Sequence, residues 1–179
     1  MADFEGGPGD DVINGTAEGD TVNGHGGNDQ LNGLGGDDIL NGGDGNDGMN
    51  GGDDNDTIEG GNGADVLNGD GGDDTLVASG QTGFGFADTA HGGFGSDRLA
   101  LDWSATLGHL QMGSGPTPNG TFGGFDGNFT DVHSRNVNFT SIEHFTIIGG
   151  ADNDIVTVAT GDDIVQLGLG NDFVNVGSA

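Results

Sequence analysis

GGPGDDVIN (residues 6–14) is followed without a gap by GTAEGDTVN (15–23) and GHGGNDQLN (24–32). Each of these nine-residue blocks ends in Asn, carries Asp at its sixth place and offers one aliphatic residue at its eighth. The same frame runs through eight consecutive blocks, from Gly6 to Val77. Its sixth places are Asp11, Asp20, Asp29, Asp38, Asp47, Asp56, Asp65 and Asp74. Its eighth places are Ile13, Val22, Leu31, Leu40, Met49, Ile58, Leu67 and Leu76, all apolar. The ninth is Asn in six blocks, with Glu59 and Val77 in the other two. Three positions held in phase over this length mark an internal repeat, the feature that decides a fold before any local propensity does.

After Val77 the frame slips by five residues, ASGQT, and resumes in a degenerate block with Asp88 at its sixth place. The next block, GGFGSDRLA, has Asp97 there. A second array, GGADNDIVT, VATGDDIVQ and LGLGNDFVN, places Asp154, Asp163 and Asp172 at the same position. Between the arrays the composition changes. Residues 84–145 hold eight of the ten Phe, together with Trp103. LALDWSATL and VNFTSIEHFTII read there as strands rich in β-branched and aromatic residues, and GSGPTPNG reads as a loop. Three parts follow: a first array over 1–77, degenerate repeats with an aromatic-rich segment over 78–148, and a second array over 149–179.

The 179-residue chain has 30 acidic residues against 2 basic ones, a formal net charge of −28. Nucleic acids and anionic membrane surfaces are thereby excluded as partners, since both are recognised by Lys and Arg. No apolar run is long enough for membrane insertion. Cations are the partners this charge favours. The 42 glycines follow no three-residue period, which rules out collagen. With no Cys there is neither a disulfide framework nor a thiolate metal site. A chain this acidic and this poor in apolar residues is expected to be disordered, yet disorder requires no register. We therefore expect order in the presence of a cation and disorder in its absence.

Spacing turns this expectation into geometry. The first six places of a block are turn formers and the last three suffice for a short strand, so two blocks make a coil of eighteen residues. Parallel strands stack about 4.8 Å apart. Aspartates eighteen residues apart then form columns, Asp11, Asp29, Asp47 and Asp65 on one edge and Asp20, Asp38, Asp56 and Asp74 on the other. Carboxylates about 5 Å apart repel by roughly 1–3 kcal/mol, and one aliphatic residue per block gives too thin a core to offset it. A cation between stacked turns reverses the sign. Calcium accepts carboxylate and carbonyl oxygens in loose geometry, whereas magnesium demands a strict octahedron and zinc prefers His or Cys. Calcium is the expected ion, with about six sites in the first array from three gaps per column, at least one more between Asp154 and Asp172, and a further site closed by Asp88 and Asp97. The remaining acidic residues of the third and fifth places (Asp10, Asp37, Asp44, Asp53 and Asp73) read as solvated surface charge.

The frame G-G-x-G-x-D-x-U-x, with U apolar, resembles the RTX (repeats-in-toxin) calcium-binding nonapeptide. The likeness is close over 6–77, fair over 83–100 and 149–175, and absent over 101–148. It implies an all-β right-handed parallel β-roll, a β-helix-like solenoid, here with an inserted aromatic-rich β segment. The metal ligands it implies are the thirteen sixth-place aspartates named above. It further implies a secreted, extracellular part of a bacterial protein, exported by type I secretion and folding on calcium outside the cell. The chain reads as a piece of a longer protein, and nothing after Val176 resembles a C-terminal export signal.

No catalytic pattern competes with this reading. GDGNDG at 43–48 fits a G-x-G-x-x-G motif but sits inside the array with no βαβ context. Asp131, His133 and Ser134 are neighbours in sequence, which does not make a triad, and no G-x-S-x-G or H-E-x-x-H is present. Glu143 reads as an exposed strand carboxylate, and the five His fall at no ligand spacing. The expectation is a module that is not an enzyme. The second function class is an adhesin, in which the Phe- and Thr-rich segment presents a face to a surface glycan or host-protein domain.

Overall fold

A computed structural model describes residues 1–78, 87–102, 110–118, 125–131, 136–151, 153–158 and 161–176. Among them every regular element is a strand, and no helix is long and apolar enough to cross a membrane. The first array forms nine strands: β1 (Asp3–Glu5), β2 (Val12–Asn14), β3 (Thr21–Gly26), β4 (Gln30–Gly35), β5 (Ile39–Asp44), β6 (Gly48–Asp53), β7 (Thr57–Asn62), β8 (Val66–Gly71) and β9 (Thr75–Val77). Odd-numbered strands enter one sheet and even-numbered strands the other, all parallel within their sheet. Phe4 is in register with Val22, Ile13 with Leu31 and Leu40 with Ile58. The coil is therefore eighteen residues long, as the spacing predicts. This is a parallel β-roll.

Strand alternation sends two positions of each block inward. One is the eighth-place aliphatic residue, fully buried from Val22 to Leu76, and the other is the first-place glycine of the following block. With one aliphatic side chain and one bare Cα per half-coil, the two sheets enclose only a narrow apolar seam. Ile13 and Phe4, on the terminal coil, have a neighbour on one side only and are just partly buried.

The roll continues in β10 (Ala87–Phe94) and β11 (Arg98–Asp102). Ala90 is in register with Leu67 and Leu99 with Leu76. Both separations are twenty-three residues, so the five-residue slip lengthens a connection without disturbing the stack.

The insert is spliced into only one sheet. β12 (Leu110–Pro118), β13 (Phe125–Asp131) and β14 (Asn136–Ile142) form an antiparallel meander between β10 and β16 (Ile155–Val158). In the opposite sheet β11 pairs directly with β15 (His144–Ile148), which pairs with β17 (Ile164–Gln166). One sheet thus ends with eight strands and the other with ten, β18 (Phe173–Val176) being the outermost of the longer. Phe129, Phe139 and Phe145 fill the space behind the meander, with ring centroids 5.1–5.9 Å apart. They come from three strands in both sheets and are fully buried, replacing the thin aliphatic seam by an aromatic core.

Two local expectations differ from the structure. GSGPTP, read as a loop, belongs to β12. Its prolines are accommodated because the β12–β13 ladder shifts register between Ser114 and Thr117, bracketing Pro116, and Pro118 closes the strand. VNFTSIEHFTII, read as one strand, is two strands on different sheets, folded at a corner around Glu143. Ser141, just before that corner, takes the left-handed conformation with φ 54°. Trp103, His133 and Ser134 lie outside the described residues.

Candidate metal centre

Each strand of the array is entered through its sixth-place aspartate, which therefore lies where a turn meets the stack. Asp20, Asp29, Asp38, Asp47, Asp56, Asp65, Asp74, Asp88 and Asp97 are all at most 2 % exposed. Eighteen-residue register places them in two columns. Along the first, the backbone N–H of Asp11 donates to Asp29 Oδ1 (2.8 Å), Asp29 to Asp47 (2.8 Å), Asp47 to Asp65 (2.9 Å) and Asp65 to Asp88 (3.0 Å). Along the second, Asp20 donates to Asp38 (2.6 Å), Asp38 to Asp56 (2.8 Å), Asp56 to Asp74 (2.8 Å) and Asp74 to Asp97 (2.9 Å). Asp88 and Asp97 extend the columns across the slipped frame.

One carboxylate oxygen per residue is accounted for in this way. The other is not. Oδ2 of Asp29, Asp38, Asp47, Asp56, Asp65, Asp74 and Asp97 is buried without a hydrogen-bond partner, as it is in Asp154 and Asp163. A buried anionic oxygen left unpaired is among the costliest groups a fold can hold, and here it recurs in each coil from Asp29 to Asp97.

From Asp29 to Asp97, each such oxygen faces a hollow at a first-place glycine. A Cβ added to Gly24 would collide with Asp29 Oδ2 and stand 2.7 Å from the Gly42 carbonyl oxygen. At Gly42 it would meet Asp47 Oδ2 and the Gly60 carbonyl, and at Gly69 Asp74 Oδ2 and the Gly92 carbonyl. In the first array the first place must be glycine because a side chain would occupy the point on which a carboxylate oxygen and a carbonyl oxygen converge. Among the described residues no three acidic, His or Cys side chains cluster, so backbone carbonyls must supply much of any coordination shell. Among the described residues the imidazoles have other partners: His25 contacts Glu5, His91 contacts Thr140 and His144 contacts Ser96. An all-oxygen donor set of carboxylates and carbonyls fits calcium.

The electrostatics of the columns agree with their geometry. Burial pushes the carboxyl groups of Asp56, Asp65 and Asp97 up to about 7 and that of Asp74 to about 6. Asp38 and Asp47 are raised for the same reason. Neighbouring carboxylates of the column add to the effect, and the N–H donated from the adjacent coil only partly opposes it. The first coil differs. Asp20 Oδ2 accepts the Thr16 hydroxyl (2.7 Å) and N–H (2.8 Å), which hold its carboxyl below the ordinary range. Asp11 Oδ2 accepts the Gly7 N–H at 2.6 Å.

In the second array the N–H of Asp154 donates to Asp172 Oδ1 at 3.0 Å, bringing those two together. Asp163 meets no acidic partner in register. Its Oδ1 accepts the Phe145 N–H at 2.9 Å, an aromatic residue holding the place of an aspartate.

Three arrangements escaped the reading of the sequence. The fifth place forms an outer ladder running opposite to the sixth: Asp10 Oδ1 accepts the Asn28 N–H (2.7 Å), Asn28 that of Asn46 (2.9 Å) and Asn46 that of Ala64 (2.8 Å). Asp37, Asn55 and Asp73 do the same on the other edge. Asp10, Asp37 and Asp73 thus bind backbone N–H groups, and the recurrence of Asp or Asn at the fifth place was the available signal. Ninth-place Asn side chains also link coils, as Asn32 to Asn14 at 2.8 Å. Glu143 is not an exposed strand carboxylate but a half-buried corner residue, its carboxyl raised chiefly by burial. Glu143 Oε2 accepts the Asp97 N–H at 2.7 Å, just as Asp97 Oδ1 accepts the Asp74 N–H one coil earlier. Being outside the nonapeptide frame, it left no signal in the spacing.

Comparison with known protein families matches the RTX calcium-binding nonapeptide repeat over residues 5–40, 14–49, 24–58, 50–81, 82–103 and 146–178. Among curated proteins none matches. The matched segments cover roughly three quarters of the chain and spare the meander, where the coil register is interrupted. On this match the chain belongs to the RTX calcium-binding nonapeptide-repeat family, and it is a calcium-binding parallel β-roll module.

Proposed function

We propose that the sixth-place aspartates hold the calcium and that the chain folds only as they do so. The observation that carries this reading is the buried, unpartnered Oδ2 repeated up both columns, each opposite a glycine-lined hollow. Calcium supplies two positive charges and six to eight oxygen positions between stacked turns. The protein supplies the rest. Asp Oδ1 fixes the vertical register through the neighbouring coil's N–H, Oδ2 turns toward the hollow, and the first-place carbonyl closes it from the next coil. Every turn would serve two hollows, so loading is cooperative along the stack. About six ions in the first array and at least one between Asp154 and Asp172 follow from the gaps between aspartates.

The role proposed is structural rather than catalytic, in a secreted bacterial protein exported unfolded by type I secretion. Its support is the match to the RTX family, together with the dependence of order proposed above on an ion scarce in cytosol and abundant outside. Extracellular calcium modules commonly bind at about 10⁻⁴–10⁻³ M, which leaves such a chain unfolded until export. Calcium titrated into chelator-treated protein should produce a cooperative gain of β signal in far-UV circular dichroism. Equal ordering by magnesium, or no gain at all, would sink the reading.

A further inference from the structure

The last repeat turn before the insert, Gly92 to Asp97, faces the corner that ends the meander instead of another repeat, and the hollow there has the same anatomy. Asp97 is fully buried and its Oδ2 has no hydrogen-bond partner. A Cβ added to Gly92 would collide with Asp97 Oδ2 and with the carbonyl oxygen of Ser141. At Gly24, Gly33, Gly42 and Gly69 the second group met is the carbonyl of the first-place glycine one coil on. Ser141 therefore stands where a first-place glycine would stand. In a repeat, the carboxylate that caps the coil below lies five residues after that glycine, as Asp97 follows Gly92. Here Glu143 follows Ser141 by two. The shortened turn is made possible by the left-handed φ of 54° at Ser141 and by the extra methylene of glutamate. Glu143 N–H donates to the Asp97 carbonyl (3.0 Å) while Glu143 Oε2 accepts the Asp97 N–H (2.7 Å), locking the two turns reciprocally.

We propose that Asp97 Oδ2, the Ser141 carbonyl oxygen and the Glu143 carboxylate form an additional calcium site, built half from the last repeat turn and half from the insert. The inference rests on the reading that the repeat turns hold calcium, and extends it to a turn that lacks the repeat sequence. The insert is then joined to the roll by an ion as well as by its aromatic core.

Calcium bound per chain, measured by equilibrium dialysis on the full chain, tests this directly. Glu143→Gln keeps an acceptor for the Asp97 N–H and removes the charge, so it should bind one ion fewer than the parent while keeping its calcium-loaded circular dichroism spectrum. Glu59→Gln, on the outer face of β7, should bind the parental number. Parental stoichiometry in Glu143→Gln overturns the inference and leaves the repeat sites standing. A parent that binds no calcium removes the underlying reading and the inference with it. Calcium-loaded crystals of the parent give a check that needs no variant. An anomalous peak within about 2.6 Å of Asp97 Oδ2 and the Ser141 carbonyl is expected. Peaks along the repeat columns with none at this corner would overturn the inference.

Discussion

Asp38 illustrates what one residue does in this fold. Its Oδ1 holds the Asp20 N–H, its own N–H is held by Asp56, and its Oδ2 faces the hollow at Gly33 without a partner. Asp38→Asn preserves shape and most hydrogen bonding while removing the charge from two neighbouring gaps. A charged contact of this kind is worth roughly 1.5–3 kcal/mol, so the calcium midpoint of folding should rise on the order of tenfold or more. An unchanged midpoint in a circular dichroism titration would remove Asp38 from the ligand set. Leu34 shows the opposite case, a residue that the repeat tolerates. It is exposed, at a second place where Gly43, Gly52 and Gly61 have positive φ, and its own φ is 85°. Left-handed backbone costs a non-glycine residue about 1–2 kcal/mol, against a gain in unfolded-state freedom of about 0.4–1 kcal/mol on mutation to glycine. Leu34→Gly should therefore stabilise the calcium-loaded roll by about 0.5–1 kcal/mol. A lower thermal midpoint at saturating calcium would contradict this.

At the scale of the element, the column is the unit that responds to pH. An unfolded aspartate titrates near 3.9, whereas burial raises Asp56, Asp65 and Asp97 to about 7 and Asp74 to about 6 in the folded roll. A carboxyl group with a raised folded value favours folding while protonated. Its contribution is complete below the unfolded value and is lost as pH climbs through about 6 to 7. Chelator-treated protein should accordingly gain β signal as pH is lowered from about 8 to about 5, protons replacing part of the missing cation. A spectrum that stays flat over that range would show that column charge is not what keeps the apo chain unfolded. The columns were also the most legible element of the sequence. A fixed period of eighteen sets which aspartates meet, and nothing else in a roll competes with that period. The meander was not legible in the same way. GSGPTP carries turn formers that a bulged strand absorbs, and the corner at Ser141–Glu143 depends on contacts with Asp97 from another part of the chain. Local pattern holds no record of either.

Across the whole molecule, the insert interrupts what the repeats build. The first column runs from Asp11 to Asp88, which is in register with the apolar Val137 on β14. Asp154 and Asp172 begin again on the far side of the meander, through β16 and β18. Along that column nearest-neighbour cooperativity cannot pass through a stretch with no shared turn. Calcium binding followed by calorimetry should thus resolve two transitions, a larger one for the first array and a smaller one for the second. A single transition that stays single when Asp154 and Asp172 are both changed to Asn would refute this partition.

The unequal sheets set more than cooperativity. Two additional strands lengthen one face by about 10 Å at ordinary strand spacing, while the opposite face passes straight from β11 to β15 and β17. A stack whose two sides differ in length is a wedge, and whatever is built upon it sets off along a new axis. In such a molecule the number of coils determines reach, and the place of a single non-repeating meander determines heading.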